Sequence, residues 1–137
     1  NIMQPGQNLK FNEIEIEATS GAAVPQIENG YILETNEGSF YVEPHGFLDN
    51  TIKPRKLDAV ITPTKNLELP IVGPFVKGAD VIPNLVKLFN PSYILSSTTG
   101  GDAKFSGILN SFISLEEYKK ALDCKILDLD QMQSVVI

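Results

Sequence analysis

Leu57 to Ile61, LDAVI, is a short and nearly continuous apolar run, as expected of a strand buried on both faces. Such a strand sits inside a sheet with further layers above and below it, which restricts the chain to layered α/β architectures. Thr62-Pro63-Thr64 ends the run. The segment NLELPIVGPFVKG then carries Pro70 and Pro74, which rule out an uninterrupted helix or a central strand. It is too apolar for a free loop and is expected to pack on the domain or on a partner. From Ala79 to Phe89, residues Val81, Ile82, Leu85, Val86, Leu88 and Phe89 recur at helical spacing. Pro83 is tolerable only within a first turn, so the helix is expected to begin near Asp80 as N-cap. Asn90-Pro91 stops it. Tyr93 to Leu95 forms the next strand, and the order strand, helix, strand over 57–95 predicts a βαβ crossover.

Upstream, Gln4-Pro5-Gly6-Gln7 is a turn signal. It leads into Leu9, Phe11, Ile14, Ile16 and Ala18, where the last three alternate with Glu13, Glu15 and Glu17. Strict alternation predicts a strand with one wet acidic face and one buried face. The glutamates read as a solvated face rather than a metal cluster. Thr19 to Ala23 is a loop of small residues. The stretch from Glu28 to Gly46 reads as two strands, around Tyr31 to Leu33 and Phe40 to Val42, joined by the turn Asn36-Glu37-Gly38. It ends on Glu43-Pro44-His45-Gly46, which holds the one histidine of the chain. Strand ends are where α/β proteins usually keep their chemistry, so His45 reads as a working ligand, a relic or ordinary structure.

Downstream, Phe105 to Ile113 has helical spacing, and Ser114-Leu115-Glu116-Glu117 has the spacing of a capping box that starts another helix. Cys124 to Leu129 alternates as a late strand, and Val135 to Ile137 offers a final one. The loop Thr98-Thr99-Gly100-Gly101-Asp102 lies between a strand and a helix, where backbone amides can hold an anion. Glycine-rich connections of this kind also occur without ligands.

The bulk properties exclude several classes. With 137 residues of which 42% are apolar, the chain can build a single core. A net charge of −6 argues against nucleic acid and against an anionic membrane surface. No window approaches the ~20 apolar residues of a membrane span, and no basic-then-apolar leader opens the chain. It begins at Asn1 and reads as processed, trimmed or a segment of something longer. The single cysteine, Cys124, can form no internal disulfide, which fits a reducing compartment or indifference to redox. It reads as a small core residue. There is no phosphate-binding loop with its Lys-Ser/Thr, no paired-cysteine zinc site and no Gly-x-Ser-x-Gly.

Taken together, ENGYILE, FYVEPHG, LDAVITP, LPIVGPFVKG and TTGGDAKFSGILNSFIS resemble the C-terminal half of a metallo-β-lactamase-fold protein. The resemblance is to a hydrolase-like group of cyanobacteria and chloroplast-bearing eukaryotes, and it spans roughly residues 5–115. It implies an α/β (α+β) chain forming half of an αββα sandwich, a mixed sheet with helices on one face, with 1–137 as a single domain segment. Metal-activated water would cleave an ester, phosphoester or lactone-type bond in the intact protein. His45 would be the metal ligand or proton carrier from this half, Glu43 its orienter, and Thr98, Thr99, Gly100, Gly101 and Asp102 would line the substrate end. The compartment implied is cytoplasm or chloroplast stroma of a photosynthetic organism.

The sequence also departs from that pattern. The front half of the fold normally carries a His-x-His-x-Asp-His cluster, which a chain with one histidine cannot contain. Thr19-Ser20-Gly21 and Thr98-Thr99 stand where histidines are expected, and His45 where a bridging aspartate is. Hydroxyls are poor substitutes for imidazole at Zn²⁺ or Fe. No cofactor is therefore expected of this chain alone, with Zn or Fe confined to an intact protein. The expected partner is the N-terminal half, in cis or in trans, or another protein. An assembly subunit that kept the fold and lost the chemistry is the alternative function.

Overall fold

A computed structural model describes residues 2–23, 28–69, 73–97, 124–127, 133, 134 and 136, with side chains for all of these except 67–69 and 73–75. Nine strands and one helix occur among the described residues. β1 (Asn8–Phe11), β2 (Ile14–Ser20), β3 (Asn29–Glu34), β4 (Ser39–Val42), β5 (Ala59–Thr62), β8 (Tyr93–Ser96) and β9 (Lys125–Leu127) form one sheet in the order β1-β2-β3-β4-β5-β8-β9. β1 to β4 run antiparallel in sequence, and the steps β4 to β5, β5 to β8 and β8 to β9 are parallel. The sheet is therefore mixed, as expected.

Between β5 and β8 the chain makes a separate two-stranded hairpin, β6 (Asn66–Leu69) with β7 (Gly73–Lys77), and then α1 (Gly78–Phe89). The βαβ crossover of 57–95 is present, since β5 and β8 pair in parallel. Pro74 sits opposite Glu68 beside a register shift at Leu67/Glu68. A bulged hairpin outside the main sheet is where a strand proline is tolerated.

Two local expectations are corrected. Residues 9–18 are two strands, because Asn12 takes a left-handed φ of 55° and turns the chain back on itself. Asparagine is among the residues that accept this conformation with least strain. The helix begins at Gly78 with Lys77 at the N-cap position and no side-chain cap, and Asp80 lies in its first turn. Contacts outside the helix fix that earlier start. Lys77 N donates to the His45 carbonyl at 3.0 Å, and Gly78 lies so close to Pro63 that no Cβ would fit. At the other end Asn90 (φ 41°) donates its N–H to Val86 O at 2.8 Å and ends the helix, as Asn90-Pro91 predicts.

The core forms on one face of the sheet. The registers align Ile32, Tyr41, Val60, Ile94 and Ile126 across five adjacent strands. These pack with Ile82, Leu85 and Phe89 of α1 and with Ile52 and Leu57. The Tyr41 and Phe89 rings lie 4.9 Å apart, in the range of favourable aromatic pairs. Cys124 packs at the margin of this cluster. The opposite face carries Leu9 and Phe11 of β1, Ile14 and Ile16 of β2, and Leu33 and Phe40 beside them in register. Leu9 is 50% exposed, Phe11 64% and Ile14 36%. The expectation for β2 thus fails in part at its outer end, where Glu15 is exposed as expected but Ile14 is exposed as well. Its apolar side faces outward there, while Glu17 pairs with Arg55 at 2.8 Å. The sheet runs beyond the helix, and no described residue covers that side fully. The expected helices at 105–113 and after Ser114 lie outside the described residues, as do residues 128–129 of the late strand and 135 and 137 of the final one.

Candidate functional site

Because β3 is antiparallel to both its neighbours, one edge of the sheet collects the end of β2, the start of β3 and the C-terminal ends of β4, β5 and β8. At that edge each strand continues past its core residue by two positions to a polar one on the same face. Tyr41 is followed by Glu43, Val60 by Thr62, and Ile94 by Ser96, with Gly30 and Thr19 completing the line through β3 and β2. Thr19 pairs with Gly30 and Thr62 with Ser96 in register. Glu43 continues the β4 register beside Thr62, its N–H donating to Ile61 O at 3.1 Å. The result is a polar row laid directly over an apolar one. Glu43, Thr19 and Thr62 are all at least 98% buried.

Glu43 shapes the loop that follows it. Its Oε2 accepts the backbone N–H of His45 at 3.0 Å and of Phe47 at 2.7 Å. Burial pushes this carboxyl above its ordinary value, and the amides of Phe47, His45 and Gly46 together with the His45 ring oppose that rise. Around the same turn, the Tyr41 hydroxyl donates to Phe47 O at 3.4 Å and is held well above the usual tyrosine range by its burial. Lys77 Nζ sits 5.3 Å from the Phe47 ring centre, a cation–π distance.

His45 is largely enclosed, with 16% of its side chain exposed, and its Nδ1 lies 3.0 Å from Glu28 Oε2. Glu28 immediately precedes β3 and is tied across the edge by its N–H to Ala22 O at 2.8 Å and by its carbonyl to Gly21 N at 3.0 Å. The division of labour therefore differs from expectation. Glu43 acts on the loop backbone, and the carboxylate beside the imidazole belongs to Glu28. A carboxylate at one ring nitrogen orients the imidazole.

The structure thus brings His45 and Glu43 to one strand-end edge. Thr98, Thr99, Gly100, Gly101 and Asp102 lie outside the described residues. Glu28, Thr62, Ser96 and Asp49 were not legible as site neighbours in the sequence. Asp49 ties the end of β2 to the loop at 49–52, accepting from Ser20 N and Thr51 N at 2.8 Å each and from Thr51 Oγ1 at 2.6 Å. The i+2 step from an apolar strand residue to a polar one was the available signal for Thr62 and Ser96. Nothing local to Glu28 marks it, because its partner is 17 residues away in sequence.

Zinc and iron centres draw three or four ligands from the protein. Among the described residues there is no group of three or more His, Cys, Asp or Glu side chains that could hold a metal ion. By themselves these residues do not fit such a centre. No helix of the described residues is long and apolar enough to cross a membrane.

No protein-family model matches the sequence, and no curated protein matches it. Its fold has solved counterparts. It is similar to the isothiocyanate hydrolase from Delia radicum gut bacteria, with a TM-score of 0.63, 14% identity, and coverage of 93% of this chain and 56% of that one. It is also similar to the metallo-β-lactamase fold protein YhfI from Bacillus subtilis, with a TM-score of 0.61, 12% identity, and coverage of 91% and 50%. A metallo-β-lactamase superfamily protein from Thermotoga maritima gives 0.58, 12%, 89% and 58%. The chain therefore has a metallo-β-lactamase-like α/β fold and spans about half the length of the structures it matches.

Proposed function

We propose that this chain is the C-terminal half of a metallo-β-lactamase-superfamily hydrolase-like protein. In the intact protein the reaction would be hydrolysis of an ester, phosphoester or lactone-type bond. The observation that carries this reading is the His45–Glu28 pair, an imidazole held by a carboxylate at the strand-end edge of a fold shared with hydrolases. A second half of the sandwich, supplied in cis or in trans, would lie against the apolar sheet face that carries Leu9, Phe11 and Ile14. Any Zn or Fe in the intact protein would take most of its ligands from that half. This chain's own residues would present and orient one imidazole and enclose it.

The test is the metal content of the intact protein alongside that of His45→Ala and Glu28→Gln. Zinc or iron bound by wild type, lost or weakened in His45→Ala and weakened less in Glu28→Gln, is the expected result. Wild-type protein that binds neither metal overturns it. It would leave the second reading, an assembly subunit with the fold and without the chemistry.

A further inference from the structure

Glu43 and Tyr41 both hold the loop that carries His45, and both lie against the same bare position of β3. We infer that Gly30 is a positioning residue for His45, acting through these two side chains. A glycine there lets both reach the loop at once, and any side chain would press on them. The inference rests on the proposed role of His45 and adds to it the residue that sets where the imidazole stands.

A Cβ at Gly30 would lie 3.2 Å from Glu43 Cγ, 3.2 Å from the Tyr41 hydroxyl and 2.6 Å from Thr19 Oγ1. All three are closer than the roughly 3.5–4.0 Å of ordinary carbon contact, so something must move. Thr19 has no hydrogen bond to the loop, and turning its hydroxyl aside would leave the loop as it is. Glu43 and Tyr41 have no such freedom. Glu43 is tied through its main-chain N–H to Ile61 O at 3.1 Å and through Oε2 to the His45 and Phe47 amides. Tyr41 packs its ring on Phe89 and donates its hydroxyl to Phe47 O. Neither side chain reaches solvent.

A methyl group at position 30 therefore pushes on the middle of one buried side chain and the tip of another. Packed interiors pass such a push on to whatever can yield, and here that is the loop at 45–47. Gly30 pairs with Thr19 in the regular register of the sheet, so alanine would act through these contacts alone. The same strand supplies the hold on the ring. Glu28 stands two residues before Gly30, and its Oε2 lies 3.0 Å from His45 Nδ1. The start of β3 thus sets the imidazole through Glu28 and the backbone beneath it through Gly30.

Amide hydrogen exchange and NMR of the intact protein test it. In Gly30→Ala the His45 and Phe47 amides should exchange at least about tenfold faster, as for a weakened hydrogen bond to a charged acceptor. The sheet amides of Val60 and Ile94 should keep their wild-type rates. The His45 ring resonances, assigned by their absence in His45→Ala, should also shift, which a general loss of stability would not cause. Gly30→Ala should add less acceleration in a Glu43→Ala background than in wild type, because the two act on one path. Thr19→Ala removes the nearest atom, so the pair Thr19→Ala with Gly30→Ala should still loosen the loop, and it decides the matter where Gly30→Ala alone does not fold. Wild-type exchange at His45 and Phe47 overturns the inference, as does equal acceleration throughout the sheet. So do full additivity with Glu43→Ala and wild-type rates in the Thr19→Ala pair. Zinc binding is read on the same samples. A wild type that binds none would remove the metal role of His45 and leave the exchange result to decide Gly30.

Discussion

Gly46 and Gly78 meet backbone to backbone, and this contact seats the loop that carries His45 on the start of α1. A Cβ at Gly46 would lie 2.6 Å from Gly78 N and 2.7 Å from its Cα, and Gly46 itself has a φ of +72°. Left-handed backbone costs an L side chain about 1–2 kcal/mol, and here the clash is with backbone that cannot swing aside. Gly46→Ala should therefore destabilise by about 2–4 kcal/mol, read as a lower denaturation midpoint at unchanged m. Gly78→Ala should cost at least as much, since its Cβ would meet the Pro63 carbonyl and ring.

Glu43 fixes the same loop from inside. Glu43→Ala leaves the His45 and Phe47 amides without the acceptor they now share, and hydrogen bonds to a charged acceptor contribute about 1.5–3 kcal/mol each. A loss of about 2–4 kcal/mol is expected after partial relaxation. Glu43→Gln retains a carbonyl acceptor and should lose less than half of that. Amide hydrogen exchange at His45 and Phe47 separates the two variants. Faster exchange at these residues is expected in Glu43→Ala alone, and unchanged exchange there would refute the anchoring role.

Much of this fold was legible because its signals are local. The hairpin at 28–46 appears as β3 and β4, with Thr35 and Gly38 bonded across the turn. LDAVI contributes β5, the crossover from β5 to β8 is present, and Asn90 ends α1. What escaped the sequence depends on contacts distant in the chain. Asp80 has the chemistry of an N-cap, but the Pro63–Gly78 packing starts the helix earlier. The alternation at 13–18 showed two faces without showing which one the helix covers. At the site, EPHG drew attention to His45, while the carboxylate beside its ring comes from the other side of a hairpin. A polar row shared among five strands has no sequence spacing at all, only a register.

Asp49 makes stability depend on acid. Burial alone would raise its carboxyl, yet the bonds from Thr51 and Ser20 together outweigh that and hold it below the ordinary aspartate value of 3.8. A depressed folded value contributes stability that is fully present above the unfolded value and is lost as pH falls through the folded one. The protein should therefore lose this contribution only below about pH 4. Asp49→Asn should be less stable than wild type at neutral pH, and the gap should narrow as the pH is lowered through that window. A gap of constant size from neutral pH to pH 3 would show that the charge is not what matters.

The outward apolar face should govern how the isolated chain behaves. Leu9, Phe11 and Ile14 are exposed on one side of the sheet's outer hairpin, where a contiguous apolar surface next to an edge strand favours association. A recombinant 1–137 is expected to self-associate or aggregate at micromolar concentration, and Phe11→Lys with Ile14→Lys should shift it towards monomer in sedimentation. Within the intact protein, the same pair should instead destabilise, because charged side chains would then enter a packed layer. Burial of two such residues at about 25 cal/mol per Å² makes a penalty of roughly 3–5 kcal/mol reasonable. A wild-type 1–137 that stays monomeric and protects its sheet amides cooperatively in hydrogen exchange would rule out a missing covering layer. So would an intact protein indifferent to the two lysines.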